Sequence, residues 1–158
     1  MSLTDPLTGV YNRRGAIALA DQQLKVAQRL GNTMLLLFAD LNHLKEINDT
    51  HGHSAGDAAL VEISDVLQET FRESDIIARM GGDEFVVLAM ESSSANEETL
   101  RQRLVERLEV RNCSEGNLYP LSVSIGIARF DPFEPVSFED LVRVADQRMY
   151  TEKRKIFR

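Results

Sequence analysis

Cysteine and tryptophan are nearly absent from this sequence. Among its 158 residues there is one cysteine, Cys113, and no tryptophan. A single cysteine excludes a disulfide within the chain, and it is typical of proteins that fold in a reducing compartment. We interpret Cys113 as a structural free thiol.

Long apolar segments are absent as well. The longest apolar run, residues 34–39, has the length of a strand, whereas a membrane-spanning helix needs about 20 apolar residues. Polar residues follow almost directly on the first methionine, which is unlike a cleavable signal peptide. We therefore expect a cytoplasmic domain that makes no direct contact with a membrane.

Basic residues are outnumbered by acidic ones. The sequence has 18 lysines and arginines against 25 aspartates and glutamates, for a formal charge of -7. This balance disfavours nonspecific binding to a nucleic acid polymer, and a phosphate-bearing ligand would need cations gathered locally. With 43% hydrophobic and 27% charged residues, the chain has a globular composition, and its length suits one domain over residues 1–158.

The spacing of apolar residues predicts helices and strands in the order α-β-α-α-β-β-α-β-α. The short second helix is predicted over residues 41–48, and a loop over residues 51–56. Asn12, Ser54 and Ser137 stand where the first, third and last helices would begin, and their side chains are suited to cap them. This order is typical of an α+β fold of the α/β sandwich kind, in which helices pack on one central sheet.

A β-hairpin with a charged tip is predicted in the middle of the chain. Two β-prone runs, residues 76–80 and 85–88, are separated by two glycines and two acids, residues 81–84. Adjacent anions repel each other, and a turn that needed only polarity would do better with asparagine or serine. A bound cation would remove this conflict.

A second group of charged residues follows the apolar run of residues 34–39. Asp40 stands at the carboxyl end of that predicted strand, and Lys45 lies in the short helix after it. Hard divalent ions such as Mg²⁺ take oxygen ligands, usually one or two carboxylates together with substrate phosphates. If the strand pairs with the hairpin, Asp40 and Asp83 meet, and the sequence therefore predicts an anion site served by a metal.

Residues 81–85 read Gly-Gly-Asp-Glu-Phe and resemble the motif that names the GGDEF family, the diguanylate cyclases. Three further segments resemble the family's other motifs in the same order, namely residues 5–14, 38–57 and 124–153. Four ordered motifs that cover nearly the whole chain are a far more specific signal than one pentapeptide.

The resemblance implies a fold like that of nucleotidyl cyclase and polymerase palm domains, with a ferredoxin-like core and a mostly antiparallel sheet of about five strands. It also implies the condensation of two GTP into cyclic di-GMP with release of two pyrophosphates. Each subunit of a homodimer would hold one GTP, whose 3′-hydroxyl would attack the α-phosphate of the opposite nucleotide. Such domains usually follow a sensor, so we expect this chain to be a fragment of a longer signalling protein. Whether that longer protein is anchored in the inner membrane is left open by the sequence.

The resemblance also implies a metal site built from matching positions. Two Mg²⁺ or Mn²⁺ ions per half-site would bind Asp40, the backbone carbonyl of Leu41 and Asp83. Glu84 is the remaining acid, and we assign it a role as a further ligand or as a proton acceptor. Asp146 is interpreted as structural.

The GTP contacts carried over from the family fall on two segments and the last helix. Asn48 and Asp57 would read the guanine edge through an amide and a carboxylate. The phosphates would meet two lysine side chains and two backbone N–H groups, those of Lys45, Lys153, His43 and Leu44.

A site for the product, cyclic di-GMP, is implied at Arg72 and Asp75, which stand at the family's offset before Gly81, with Arg79 as a further contact. Taken alone, Arg72 and Asp75 would form a solvated ion pair at a helix end, worth a few tenths of a kcal/mol. The placement favours the product site, at which cyclic di-GMP would act as an inhibitor.

Two departures from the family pattern stand near these sites. Asn42 and Leu44 replace the more usual Asp and Phe, for which a modest effect is expected. The family usually has a Gly-Arg pair shortly after the position of Lys153, and this sequence has Ile156-Phe157 there instead. Arg154 or Arg158 would then have to make the phosphate contact expected of that arginine.

Other interpretations compete with the cyclase. Residues 54–57 also fit a capping-box-like helix start, and His51 with His53 lacks further soft ligands for a metal, which favours a loop. The alternative function is a weak or inactive GGDEF module that binds GTP or cyclic di-GMP and regulates an attached domain. The retained acids Asp40, Asp83 and Glu84 argue against it.

Overall fold

The computed structural model describes residues 2–156; Phe157 and Arg158, named above, lie outside the described residues. The five helices of the described part are α1 (Arg13–Leu30), α2 (Leu44–His51), α3 (His53–Thr70), α4 (Glu97–Asn112) and α5 (Phe138–Ile156). The strands are β1 (Met34–Leu41), β2 (Ile76–Gly81), β3 (Glu84–Met90) and β4 (Val123–Phe130). None of these helices is both long and apolar enough to cross a bilayer.

The strands form one antiparallel sheet in the order β2-β3-β1-β4. Strand β1 lies inside the sheet and is buried along its whole length, as its continuous apolar run predicts. Helices α2, α3 and α4 pack on the face that carries Leu35 and Leu37. Helices α1 and α5 pack on the face that carries Leu36 and Phe38. The α+β sandwich predicted from the sequence is confirmed.

The expectation of about five strands is corrected to four within the described residues. Beyond β2, Tyr11 makes a single parallel bridge to Ala78. Its N–H donates to the carbonyl of Ile77 at 3.1 Å, and its carbonyl accepts from the N–H of Arg79 at 2.8 Å. The pairing stops there because α1 begins two residues later, at Arg13.

The predicted helix caps are confirmed at two ends and wrong at one. The Asn12 side chain accepts from the N–H of Gly15 at 2.9 Å, and Ser137 Oγ accepts from the N–H of Asp140 at 3.0 Å. Ser54, in contrast, lies inside the first turn of α3, whose N-cap is Gly52. Gly52 has φ 91°, a conformation that favours glycine, and this one residue therefore replaces most of the predicted loop of residues 51–56.

Candidate active site

The pairing of β1 with β3 places the hairpin tip beside the end of β1. Asp40 is opposite Glu84 in the register of the two strands, and the N–H of Leu41 donates to the carbonyl of Asp83 at 3.0 Å. The structure therefore brings together the acids that are separated by more than forty residues in the sequence.

A cavity of about 320 Å³ opens at this place. It collects most of the residues predicted for the metal and the phosphates, and it is lined by Leu41, His43, Leu44, Lys45, Glu46, Asp83 and Lys153. Lys153 Nζ donates to Asp40 Oδ2 at 2.8 Å, which adds Asp40 to the group. The cavity thus combines carboxylates, which suit a cation, with two lysines, which suit a phosphate.

The backbone between β1 and α2 is shaped for an anion. His43 is a non-glycine residue with φ 62°, in the left-handed region that costs about 1–2 kcal/mol. This conformation turns the chain directly from β1 into α2, so that the first N–H groups of the helix lie at the cavity. Because the first turn of a helix has N–H groups without partners in the helix itself, it attracts phosphate.

The acids at the hairpin tip have unfavourable surroundings for their charge. Burial raises the pKa of Asp83, and the neighbouring charge of Asp40 raises it further, while Lys153 opposes the shift. Burial also raises the pKa of Glu84, followed by the charges of Asp146 and Asp40. Asp146, interpreted from the sequence as structural, thus belongs to the electrostatic surroundings of the site.

These acids fit a divalent cation. Asp40 is 7% exposed, and its Oδ1 is buried with no hydrogen-bond partner in the described part of the chain. Within residues 2–156, no group of three or more histidine, cysteine or acidic side chains is by itself arranged to hold a metal ion. Substrate phosphates and backbone oxygen would have to complete the coordination, as is usual for Mg²⁺.

A second polar cradle lies where α2 meets α3. The side chain of Asn48 lies directly over Gly56, so closely that a Cβ on Gly56 would be 1.8 Å from Asn48 Oδ1. This Oδ1 is buried and has no hydrogen-bond partner among the described residues. Asp57 follows Gly56 and is exposed. Gly56 thus belongs to this cradle, and its one signal in the sequence was its place beside Asp57 in the motif.

Arg72 and Asp75 line another cavity, of about 390 Å³, on the outer side of β2. Asp75 Oδ2 accepts from the backbone N–H of Arg72 at 2.8 Å, which fixes the turn between α3 and β2. Burial raises the pKa of Asp75. The side chain of Arg79, predicted for the same product site, contacts Asp5 at 3.3 Å and donates through Nε to the carbonyl of Gly82 at 2.9 Å.

Arg79 and Asp5 join the opening loop to the hairpin tip. Asp5 Oδ2 accepts from the N–H of Thr8 at 3.0 Å and from its hydroxyl at 2.7 Å. The sequence showed residues 5–14 as a segment that resembles a family motif, and it gave no signal for a contact of Asp5 with a residue more than seventy positions away.

Asn42, one of the departures from the family pattern, is buried in a small polar network. Its Nδ2 donates to Ser122 Oγ at 3.1 Å, and its Oδ1 accepts from Ser124 Oγ at 2.9 Å. An amide suits this position because it can donate and accept at once.

The sequence model described as "Diguanylate cyclase, GGDEF domain" matches residues 2–158. The chain is a GGDEF domain. The GGDEF resemblance inferred from the four ordered motifs is therefore confirmed, and the hairpin tip of residues 81–85 is the motif that names the family.

Curated diguanylate cyclases are similar to this GGDEF domain over nearly its full length. Diguanylate cyclase DgcP of Escherichia coli K12 is 32% identical over 154 residues, which are 97% of this chain and 45% of the relative. Diguanylate cyclase DosC of the same strain is 36% identical over 155 residues, which are 96% of this chain and 33% of the relative. The chain thus spans less than half the length of these two relatives.

Solved structures of GGDEF domains are similar in fold. The GGDEF domain of DgcB from Caulobacter crescentus, solved in complex with c-di-GMP, has a TM-score of 0.85 at 30% identity and covers 98% of this chain and 92% of that chain. A sensory box/GGDEF family protein from Caulobacter crescentus CB15 has a TM-score of 0.85 at 31% identity, and the match covers 98% of this chain and 99% of that chain. These likenesses confirm the palm-like fold.

Proposed function

We propose that this GGDEF domain is the catalytic part of a diguanylate cyclase, which condenses two GTP into cyclic di-GMP and releases two pyrophosphates. The observation that carries the proposal is the cavity at the end of β1. There, Asp40 and Asp83 meet Lys45, Lys153 and the first turn of α2, a combination suited to a metal-bound triphosphate.

In the proposed reaction, the acids of this cavity would bind the metal ions and its lysines would bind the phosphates. Two Mg²⁺ or Mn²⁺ ions, held by Asp40, the Leu41 carbonyl, Asp83 and Glu84, would stabilise phosphate charge and lower the pKa of the attacking 3′-hydroxyl. Lys153 neutralises Asp40 in the described structure. A cation bound to Asp40 would free the ammonium group of Lys153. Lys153 could then contact the terminal phosphates, together with Lys45 and the N–H groups of His43 and Leu44.

Guanine would be read at the cradle between α2 and α3. The Asn48 amide has a buried Oδ1 with no hydrogen-bond partner among the described residues, so this acceptor is available. An ionised Asp57 would accept from the ring N–H and the exocyclic amine of guanine. Adenine lacks this pair of donors on the same edge. The close approach of Asn48 to Gly56 would keep the amide in place for this contact.

The reaction needs a second copy of the domain. One cavity would hold one GTP, and each 3′-hydroxyl must reach the α-phosphate of the other nucleotide, so that two domains face each other in a homodimer. Cyclic di-GMP would bind at Arg72 and Asp75, where the cavity of about 390 Å³ offers a cation and an acceptor, and it would inhibit the enzyme from there. Arg79 stays a proposed contact of that site.

The test is conversion of GTP in the presence of Mg²⁺, followed by chromatography of the nucleotides, at protein concentrations high enough to form dimers. We expect cyclic di-GMP from the wild type and none from Asp83→Ala. Asp65→Ala, which removes an exposed acid of α3, serves as the matched control and should stay active. No product from the wild type at any concentration would refute the cyclase, and turnover by Asp83→Ala would mean that the metal site is elsewhere.

A further inference from the structure

Tyr119 lies in the connection between α4 and β4 and reaches across to the junction of α2 and α3. Its hydroxyl donates to the backbone carbonyl of Ala55 at 2.9 Å. Its ring lies beside that of His51, with ring centroids 5.2 Å apart and planes inclined by 38°. These contacts fall on both sides of Gly52, the one residue that separates α2 from α3.

The connection that carries Tyr119 is fixed to α3 and α4 by hydrogen bonds and an ion pair. The Arg111 guanidinium lies 5.6 Å from the centre of the Tyr119 ring and donates to the Tyr119 carbonyl at 2.8 Å. Arg111 also pairs with Glu62 of α3. Asn112 accepts from the N–H of Leu121 at 2.8 Å and donates to its carbonyl at 2.9 Å.

The phenol stays a donor over the ordinary pH range. Burial raises the pKa of Tyr119, and the nearby charge of Glu62 raises it further. The ring and Ala55 also pack against the same apolar core as α3. The hydrogen bond to Ala55 is therefore made from a partly buried side chain with little freedom to move.

The position of Ala55 connects this contact to base recognition. Ala55 directly precedes Gly56, against which the Asn48 amide is packed, and Asp57 follows. A shift of the first turn of α3 by a few tenths of an ångström would change the distance between the amide on α2 and the carboxylate on α3. Both groups would have to meet one planar guanine edge, so their relative placement decides whether both hydrogen bonds can form.

We propose that Tyr119 is a positioning residue for guanine recognition, which sets the spacing of Asn48 and Asp57 by tying the start of α3 to the α4–β4 connection. This inference rests on the proposed function, because it takes those two residues as the ones that read the base. Tyr119 would not touch the nucleotide itself. It acts through Ala55 and through the ring contact with His51.

The test compares ligands that differ in the base. Affinities of GTP and ATP, both as 3′-deoxy analogues that lack the attacking hydroxyl and cannot react, and of inorganic triphosphate, each with Mg²⁺, are measured by calorimetry. The wild type is compared with Tyr119→Phe, which keeps the ring and removes the donor. We expect the Kd of GTP to rise about threefold to tenfold, the range that the loss of one hydrogen bond gives. The Kd of inorganic triphosphate should stay unchanged, since the phosphate site lies at the other end of α2.

Three further variants complete the design. Tyr150→Phe removes the hydroxyl of a tyrosine that is 59% exposed on α5, and it should change no affinity. Gly56→Ala, whose Cβ would collide with the Asn48 amide, is the positive control for a loss of GTP binding alone. Tyr119→Ala should weaken GTP binding more than Tyr119→Phe, again without an effect on triphosphate.

The possible results separate the inference from the proposed function. If the wild type prefers GTP to ATP and Tyr119→Phe leaves the Kd of GTP unchanged, the positioning role is refuted and the cyclase proposal stands. A parallel loss of GTP and triphosphate binding in Tyr119→Phe also refutes it, because general loosening would then be the cause. A wild type without preference for GTP would overturn the guanine site, and the inference with it.

Discussion

Asp40, Asp83 and Glu84 crowd the end of β1, and the described structure neutralises only part of their charge. Lys153 pairs with Asp40, but the pKa values of Asp83 and Glu84 are raised by burial and by neighbouring acids. A raised pKa means that the folded domain disfavours the ionised form. Without a cation, these acids therefore reduce the stability of the fold at neutral pH, which is a common cost of an active site.

The first prediction concerns Asp83→Asn. A carboxyl with a raised pKa contributes full stability below its unfolded pKa, near 3.9, and loses it as the pH rises through the folded value. In the presence of a chelator, the variant should thus be more stable than the wild type at pH 7, by about 0.5–2 kcal/mol. Near pH 3.5 the difference should be small.

Urea unfolding at the two pH values measures this difference. Asp65→Asn, at an exposed position of α3, is the control and should change stability little at either pH. A variant that is less stable than the wild type at pH 7 would contradict the view that the Asp83 charge strains the metal-free site.

The second prediction concerns Asp5, whose pKa shift has the opposite sign. Burial alone would raise the pKa of Asp5, but hydrogen bonds from Thr8 and the charge of Arg79 lower it overall. The stabilisation is therefore present above the unfolded pKa and is lost as the pH falls through the lower, folded value. Asp5→Asn should cost about 1 kcal/mol at pH 7, and the difference should shrink below pH 4.

Unfolding midpoints in urea, followed from pH 7 down to pH 3, test the Asp5 prediction. A difference between wild type and Asp5→Asn that stays constant across this range would show that the ionised carboxylate is not what holds Thr8 and Arg79. Asp65→Asn again provides the baseline for removing a charge.

Among the elements, the packing of α5 on β4 depends on one glycine. A Cβ on Gly126 would lie 2.0 Å from the carbonyl oxygen of Ala145 and 2.3 Å from the backbone nitrogen of Met149. Both atoms belong to the backbone of α5, so the helix would have to move as a whole. Because α5 also carries Lys153, this contact fixes the distance between the lysine and Asp40.

The third prediction is that Gly126→Ala destabilises the domain by about 1–3 kcal/mol, the cost of overpacking a close contact. For a domain of this size, each kcal/mol lowers the Tm by about 2–4 °C. Gly81→Ala is the matched control, since nothing lies within 4 Å of the added Cβ there. An unchanged Tm in Gly126→Ala would mean that α5 can move away from the sheet freely.

The elements themselves could be predicted from the sequence because their signals are local. The apolar spacing of α1 and the caps at Asn12 and Ser137 lie within a few residues of what they control. The predicted start of α3 was wrong because Gly52 allows α2 and α3 to follow each other almost directly. Whether two helices can follow each other in this way depends on how they pack. A polar side chain at Ser54 carried no information about that packing.

The candidate site could be predicted in part, for the same reason. Asp40 and Asp83 were identified because each stands in a segment with a clear local pattern and because the motifs resemble a family. The ion pair of Lys153 with Asp40 spans 113 positions, and the contact of Tyr119 with Ala55 spans 64. Such pairs follow from the sheet order and the helix packing, which no local pattern records.

At the scale of the whole molecule, the proposed reaction makes activity a property of two copies. Each domain would supply one complete set of acids, lysines and guanine contacts, and cyclic di-GMP needs two new bonds between two nucleotides. Specific activity should therefore rise with protein concentration until all chains are dimeric. An enzyme that worked as a monomer would have constant specific activity.

The last prediction uses mixtures of wild type with Asp83→Asn, at a total concentration that saturates dimer formation. With free exchange of subunits, an equal mixture contains about a quarter wild-type homodimers and about half mixed dimers. If cyclic di-GMP needs two intact sites, the mixture should form it at about a quarter of the rate of wild type alone at the same total protein concentration. Independent sites would give about a half, and this result would refute catalysis across the dimer. Mixtures with the active control Asp65→Asn should keep the full rate, because every dimer then has two complete metal sites.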